Sequence, residues 1–286
     1  MNYVRHLLVA VALLGGSIPA AKAAETFATC TGFITSLPAT IGTQGTWCLK
    51  GHLSTAMTTG AAIQVMVNNV TIDCNSFKIG GLAAGITTTA QGIRATDRAN
   101  VTVRNCNVRG FYQGIYLNDS GDDGASNGHL VENNQMDGNT SVGIYVSGDD
   151  SVIRGNRVRS TGGSPHVVTA SGIYSAGSND VLDNLVSDVV PTSGSAFGVH
   201  AVANYDGSIS NNRVRRLLPK GAGVAYGIAN ATPGRITITG NHLVSLGFGG
   251  VGITCSSPKN HAEDNIISGF SVAVSNCNGS KNVVLD

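Results

Sequence analysis

Ile72-Asp73-Cys74-Asn75-Ser76-Phe77 opens a phrase that returns seven more times along the chain. It reads apolar, variable, turn-former, Asn, variable, apolar. Its fourth position is held in order by Asn75, Cys106, Asn134, Asn156, Asn184, Asn212, Asn241 and Asn265, at intervals of 31, 28, 22, 28, 28, 29 and 24 residues. Periods of that size mark stacked repeats rather than one globular core. The position before it holds Cys74, Asn105, Asn133, Gly155, Asp183, Asn211, Gly240 and Asp264. Gly, Asn and Asp tolerate a left-handed backbone, so all but the first repeat suit a tight bend there. An amide side chain both donates and accepts, so Asn residues one strand apart can bond up and down a column.

A second landmark, Gly followed by an aliphatic residue, accompanies each repeat: Gly92-Ile93, Gly114-Ile115, Gly143-Ile144, Gly172-Ile173, Gly198-Val199, Gly227-Ile228 and Gly252-Ile253. Between the landmarks, segments such as Val101-Thr102-Val103 alternate apolar and polar, as half-buried strands do. Three short strands in roughly 27 residues, with no amphipathic helix, exclude leucine-rich, ankyrin and tetratricopeptide repeats. Such coils bury their apolar residues only by stacking on neighbours about 4.8 Å away. Eight rungs therefore make a rod at least ~35 Å long. Glycine, at 38 of 286 residues, fits a β protein with many tight turns.

With the Asn column and the Gly-Ile strand in register, the chain resembles a right-handed parallel β-helix of the pectin-lyase-like superfamily. The resemblance implies an all-β solenoid of about nine coils over residues 61–286, with residues 24–60 as a disulfide-closed N-terminal cap. Such folds host lyases, hydrolases, epimerases and adhesins, so the fold by itself names no reaction.

Residues 1–23 read as a signal peptide. Arg5 and His6 precede the apolar run Leu7–Leu14, and Ala21-Lys22-Ala23 suits a small-x-small cleavage site. The apolar run is too short to span a bilayer, where about 20 residues are needed. Cleavage leaves 263 residues with 16 basic and 17 acidic side chains, because Arg5 and Lys22 depart from the 18 and 17 of the full chain. That balance gives no electrostatic case for nucleic acid or an anionic membrane as partner. The expected partner is an extracellular or periplasmic polysaccharide. All six cysteines lie beyond the cleavage site, and an even count in an exported chain points to disulfides. Six cysteines allow 15 pairings. Neighbours in sequence are the economical choice: Cys30 with Cys48, Cys74 with Cys106, Cys255 with Cys277. Metal binding by cysteine finds no Cys-x-x-Cys or close Cys/His pair to support it.

In the resembling family the Gly-Ile strand commonly floors a substrate groove. If its aliphatic residue points inward, the next residue points out, giving the column Arg94, Tyr116, Tyr145, Tyr174, His200, Ala229 and Thr254. Tyr116, Tyr145 and Tyr174 would then form a flat aromatic platform of the kind on which sugar rings lie. The glycine column beside them would keep this floor shallow. The turn beyond the strand is acidic in successive coils, with Asp119, Asp122 and Asp123, then Asp149 and Asp150, then Asp180 and Asp206. Crowded carboxylates hold a hard cation such as Ca2+ or share a proton for acid–base work. Asp149, Asp150, Arg94 and His200 are the catalytic candidates, and Asp119, Asp122, Asp123, Asp149 and Asp150 the candidate Ca2+ ligands. Asp beside Gly and Ser is also ordinary turn composition. His166 lies on the loop Arg159–Ser171 and His200 on the floor beside it, so that either could pair with an Asp for general base catalysis. Arg109, Arg157, Arg159, Arg213, Arg215 and Arg216 form a basic stripe on the strand after the Asn bend. It suits acidic sugars or phosphates, or simply a solvated face that discourages aggregation.

Complete enzyme signatures are missing. Asn118-Asp119, Gly121-Asp122-Asp123 and Gly128-His129 hold fragments of the polygalacturonase motifs but crowd into one loop, and the chain has no Arg-x-Lys. Ser164-Pro165-His166-Val167 lacks both carboxylates of the mannuronan epimerase signature. The expectation is thus a secreted rod that binds or processes polysaccharide on its tyrosine face. If it is an enzyme, it is a polysaccharide lyase or glycoside hydrolase. The alternative is a non-catalytic structural or adhesion rod.

Overall fold

The computed structural model describes residues 27–121, 124–247 and 249–285. The expected signal peptide and the candidate ligands Asp122 and Asp123 lie outside these residues. The described chain winds into three ten-stranded, wholly parallel sheets. Sheet A runs from Gly32–Ile34 to His261–Glu263, sheet B from Ala39–Ile41 to Val272–Ser275, and sheet C from Leu53–Ser54 to Val283–Leu285. Each coil visits A, then C, then B, and nine such triplets run from Gly45 to Ser275. A three-residue 3-10 turn at Leu82–Ala84 is the one helical element among the described residues. The segment expected as a cap supplies the first strands of all three sheets, and Phe33 in its first strand pairs with Cys48.

The core is a stack of aliphatic columns, one per sheet. Ile93, Ile115, Ile144, Ile173 and Ile228 of sheet B face Val108, Met136, Val158, Val186 and Val214 of sheet C, all fully buried. The three sheets close on one another so tightly that the Gly column has a structural cause. A Cβ at Gly143 would lie 2.4 Å from Val158 Cγ1, and one at Gly172 would lie 2.3 Å from Val186 Cγ1. The absent side chain points inward, so the glycines bring sheet B down onto sheet C. They do not lower the outer floor, as the sequence had suggested.

The bend between sheets A and C is built as expected in most coils. Asn105, Asn133, Gly155, Asp183, Asn211, Gly240 and Asp264 all take φ between 53° and 65°. Beyond each bend the Asn ladder forms. Asn184 is typical: its Oδ1 accepts from the Asn156 backbone N–H and Nδ2 at 2.9 and 3.0 Å. Its Nδ2 donates to Ile153 O at 2.8 Å and to Asn212 Oδ1 at 3.0 Å. The continuous ladder is Asn134, Asn156, Asn184, Asn212, Asn241, Asn265 and Asn282.

Its ends differ from the sequence expectation. Asn75 is not a rung. Four residues, Cys74–Phe77, separate the flanking strands there where Asn105-Cys106 suffice one coil later, and Asn75 donates instead to Leu49 O at 3.3 Å. At the other end Asn282 joins behind Lys281, which itself takes φ 60°. Where the ladder stops, a covalent rung begins. Cys74–Cys106 is bonded with 4.7 Å between Cα atoms, and the Cys106 N–H donates to Asn134 Oδ1 at 2.9 Å. Cys30–Cys48 and Cys255–Cys277 complete the pairing of sequence neighbours. Three disulfides fit an oxidising compartment. No helix among the described residues is long and apolar enough to cross a membrane.

Candidate functional site

The sheet B register brings Arg94, Tyr116, Tyr145, Tyr174, His200, Ala229 and Thr254 into one outward column, as alternation predicts. The Tyr116 and Tyr145 rings are 4.8 Å apart and tilted by 36°, and Tyr145 and Tyr174 are 4.7 Å apart and nearly parallel. His200 meets Tyr174 edge-on at 5.1 Å. There the aromatic run crosses to a neighbouring column. Phe197 stacks on His200 at 4.3 Å, and Tyr226 stacks on Phe197 at 4.9 Å. Six rings therefore form one unbroken strip along the rod.

Phe197 and Tyr226 were missed in the sequence because alternation breaks at the glycine. Gly198 and Val199 both face inward, so the residue before the glycine and the residue after the aliphatic both face out. An aromatic immediately before Gly-aliphatic was the available signal.

One end of the strip is polar. Arg94 donates through Nε to Gln64 Oε1 and through a terminal nitrogen to Gln91 Oε1 at 3.2 Å, while Gln91 donates to Gln113 Oε1 at 2.9 Å. The three glutamines hold the guanidinium beside Tyr116. Burial raises the Tyr116 hydroxyl pKa above its ordinary value, partly opposed by Arg94. Burial alone raises that of Tyr174. Both hydroxyls are therefore intact donors at neutral pH. Burial also lowers the His200 pKa, which favours the neutral imidazole.

The other end opens into a cavity of about 370 Å3, lined by Ser195, Phe197, His200, Tyr226, Asn230 and Thr254 among others. Asn230 heads an Asn-x-Thr sequence but is only 2% exposed, with Nδ2 donating to Thr232 O at 2.9 Å. It is folded away from any glycosylating enzyme, whereas Asn69 of Asn69-Val70-Thr71 is exposed.

The aspartate turns line the far edge of sheet B, and the carboxylates of Asp119, Asp149 and Asp180 are engaged with backbone. Asp119 is 7% exposed and accepts the N–H groups of Gly121 and Gly124 at 3.4 and 3.0 Å. Asp149 Oδ1 accepts Ser178 N–H at 2.7 Å, and Asp180 Oδ1 accepts Ser208 N–H at 2.9 Å. Asp119 and Asp149 face one hollow of about 360 Å3, and Asp150, Asp180 and Asp206 face another of about 380 Å3. Of the five expected carboxylates, the three described ones thus line two different hollows, Asp119 and Asp149 the first and Asp150 the second. Among the described residues no three His, Cys, Asp or Glu side chains are placed to hold a metal.

Neither His166 nor His200 pairs with an aspartate among the described residues. The loop carrying His166 runs back along the rod, so that its ring packs edge-on against Tyr112 and Nε2 lies 3.0 Å from Thr87 O. His200 packs instead among aromatic rings, with no carboxylate partner among the described residues. Arg94 and His200 are four strand steps apart, roughly 19 Å at the usual strand spacing. The catalytic candidates are therefore dispersed over the two ends and one edge of the strip.

The model of the right handed beta helix region matches residues 91–284. No curated protein matches the chain. Among solved structures the chain is similar to the crystal structure of the Agl-KA catalytic domain. The identity is 13%, the TM-score 0.42, and the match covers 90% of this chain and 62% of that one. The chain thus spans somewhat under two thirds of that domain, and a likeness this distant speaks to neither ligand nor chemistry.

Proposed function

The chain belongs to the right-handed β-helix family, and from that premise we propose that it is an exported rod that binds polysaccharide along the aromatic strip of sheet B. The observation that carries this reading is the unbroken six-ring strip from Tyr116 to Tyr226, with ring separations of 4.3 to 5.1 Å. Rings stacked on one another along the rod turn their edges outward as a regular apolar ridge for consecutive sugar rings, and the protonated Tyr hydroxyls and the Arg94 guanidinium suit their hydroxyls and carboxylates. The reading is of binding. General acid–base chemistry needs an acid, a base and a polarising group within hydrogen-bond reach of one bond, and the candidates here are spread along the strip.

The test is affinity electrophoresis of the mature protein in neutral and acidic polysaccharides, with and without Ca2+. Retardation by at least one glycan is expected. Tyr145→Ala, which interrupts the strip at its centre, should weaken it about tenfold, the equivalent of one lost aromatic contact. Retardation that Tyr145→Ala leaves untouched would move the site off this face. No retardation by any glycan would favour a structural or adhesive rod.

A further inference from the structure

Sheet C presents a second face that the aromatic strip does not use. Its register places Arg157, Leu185 and Arg213 in one outward column and Arg159, Ser187 and Arg215 in the next. Arginine therefore recurs at every second strand, at the four corners of a rectangle. Its sides are about 9.6 Å along the rod and 6.6 Å across it from ordinary strand geometry. Leu185 is half-buried and Ser187 buried, so the ground between the guanidiniums is flat.

Most of this charge is uncompensated. Asp137 is shared between Arg109 at 3.6 Å and Arg159 at 3.3 Å, and Asp188 is matched to Arg216 at 2.6 Å. Arg157, Arg213 and Arg215 have no carboxylate within ion-pairing distance among the described residues, and Arg215 Nε is buried without a hydrogen-bond partner. Asp183 and Asp264, on the bend beside the sheet, pair with none of these arginines either. The whole chain carries a formal charge of only +1, so the patch is segregated charge and not general basicity. On sheet A, by contrast, Arg104 and Arg154 are each matched to a carboxylate, Asp73 and Glu132, at 2.8 Å.

We propose that this sheet C face binds a linear anionic polysaccharide, independently of the aromatic strip. Guanidinium forks take carboxylate and sulfate oxygens two at a time. A rigid sheet holds them at an interval close to two extended pyranose residues, so a chain lying along the rod meets a fork at each repeat of its anionic group. A lipid surface fits less well, because no exposed apolar side chain stands between the arginines to enter it. Since sheets B and C are different faces of the rod, two polymers can be held at once.

The test measures binding of the mature protein to dextran sulfate and to alginate, at low and high salt. Binding that weakens steeply with salt is expected. Arg157→Gln/Arg159→Gln/Arg213→Gln/Arg215→Gln should lose about a hundredfold, a factor of roughly three per guanidinium. Arg157→Gln/Arg213→Gln, which removes only two exposed and unpaired side chains, should lose about tenfold and guards against misfolding of the quadruple variant. Arg104→Gln/Arg154→Gln on sheet A, whose guanidiniums are already matched to carboxylates, should bind as the unsubstituted protein does. Absence of binding to both polymers, or binding unchanged in folded double and quadruple variants, overturns the proposal. So does equal or tighter binding to phosphatidylglycerol vesicles with the same arginine dependence.

Discussion

Replacing Asn184 by alanine tests whether the ladder, and not the aliphatic core alone, holds the coils in register. The side chain is 1% exposed and makes four hydrogen bonds, two accepted and two donated. At about 1 kcal/mol net for each, their removal costs roughly 4 kcal/mol. Relief is partial: Asn156 Nδ2 keeps Val131 O at 2.8 Å, and Asn212 Oδ1 keeps the residue 184 N–H at 3.0 Å. The Asn156 backbone N–H loses the partner it had at 2.9 Å and is left buried, which pushes the loss up. For a chain of this size the melting temperature should fall by roughly 8–16 °C. Asn282→Ala is the internal control. That side chain makes three hydrogen bonds at the partly exposed end of the ladder, where water replaces them, so its loss should be about half as large. Guanidinium titrations followed by far-UV circular dichroism report the whole solenoid, and Trp47, the sole tryptophan, reports its first coils. Coincident curves mark cooperative unfolding, and Trp47 lagging behind marks a rod that opens locally. A loss below about 1.5 kcal/mol at Asn184, or an equal loss at Asn282, would refute the reasoning, because buried amide pairing predicts neither.

Three further outcomes follow from the same geometry. Gly172→Ala should cost about 1–3 kcal/mol, since its Cβ would sit 2.3 Å from Val186 Cγ1. Adding Val186→Ala should restore part of that loss, and additive losses in the double mutant would show that the contact is not the cause. Replacing Cys74 and Cys106 by serine opens a link spanning 32 residues, worth about 4 kcal/mol on the chain-entropy model. Trp47 fluorescence should shift to lower denaturant by more than the far-UV signal, and an unchanged midpoint counts against a stapling role. His129 gives a pH dependence. Its Nδ1 accepts Val101 N–H at 3.2 Å and Nε2 lies 2.9 Å from Ser126 Oγ, while burial lowers its pKa from 6.5 to about 4. The unfolded chain therefore binds a proton that the folded one refuses. The stabilisation is full above pH 6.5 and is lost as pH falls towards 4, by about 3 kcal/mol in all. Burial lowers the His200 pKa in the same direction, so His129→Gln should flatten the profile in part. A urea midpoint that does not fall between pH 7 and pH 4.5 contradicts the neutral, buried ring, where ordinary values would put the change.

The scaffold was legible because its physics is local and repeated. A left-handed bend admits few residue types, a ladder admits Asn, and a glycine opposed by a valine admits nothing larger, so each coil states the same constraints again. Alternation about the inward aliphatic then placed Tyr116, Tyr145 and Tyr174 on one face. Where a constraint was met by an unusual residue, the reading slipped. Lys281 adopts the bend that Asn and Gly usually take, and so hid Asn282. Two extra residues at Cys74–Phe77 moved Asn75 out of the column. The site was less legible because its members are set by turns. Sequence shows that Asp119, Asp149 and Asp180 are clustered in repeats, but not that each carboxylate is occupied by a backbone N–H. Nor does loop length reveal that His166 turns back to Thr87, 79 residues earlier, instead of over His200.

The ladder and the aromatic strip are governed by one dimension. Strands stack about 4.8 Å apart, and that step spaces the Asn amides inside the wall and the Tyr rings outside it. The ring separation of 4.7 Å between Tyr145 and Tyr174, with planes 4° apart, is the strand spacing expressed in side chains and requires an offset stack. Each of the four inner rings has a ring neighbour on both sides before any ligand arrives, so little rotamer entropy remains to be lost on binding. The same rigidity limits what the face can do. A strip with fixed pitch and no moving wall suits a long, regular ligand held at many weak contacts. Catalysis instead demands that several different groups converge on one bond. The geometry of sheet B provides the repeat and not the convergence, and it is this repeat that supports the proposal of a polymer ligand.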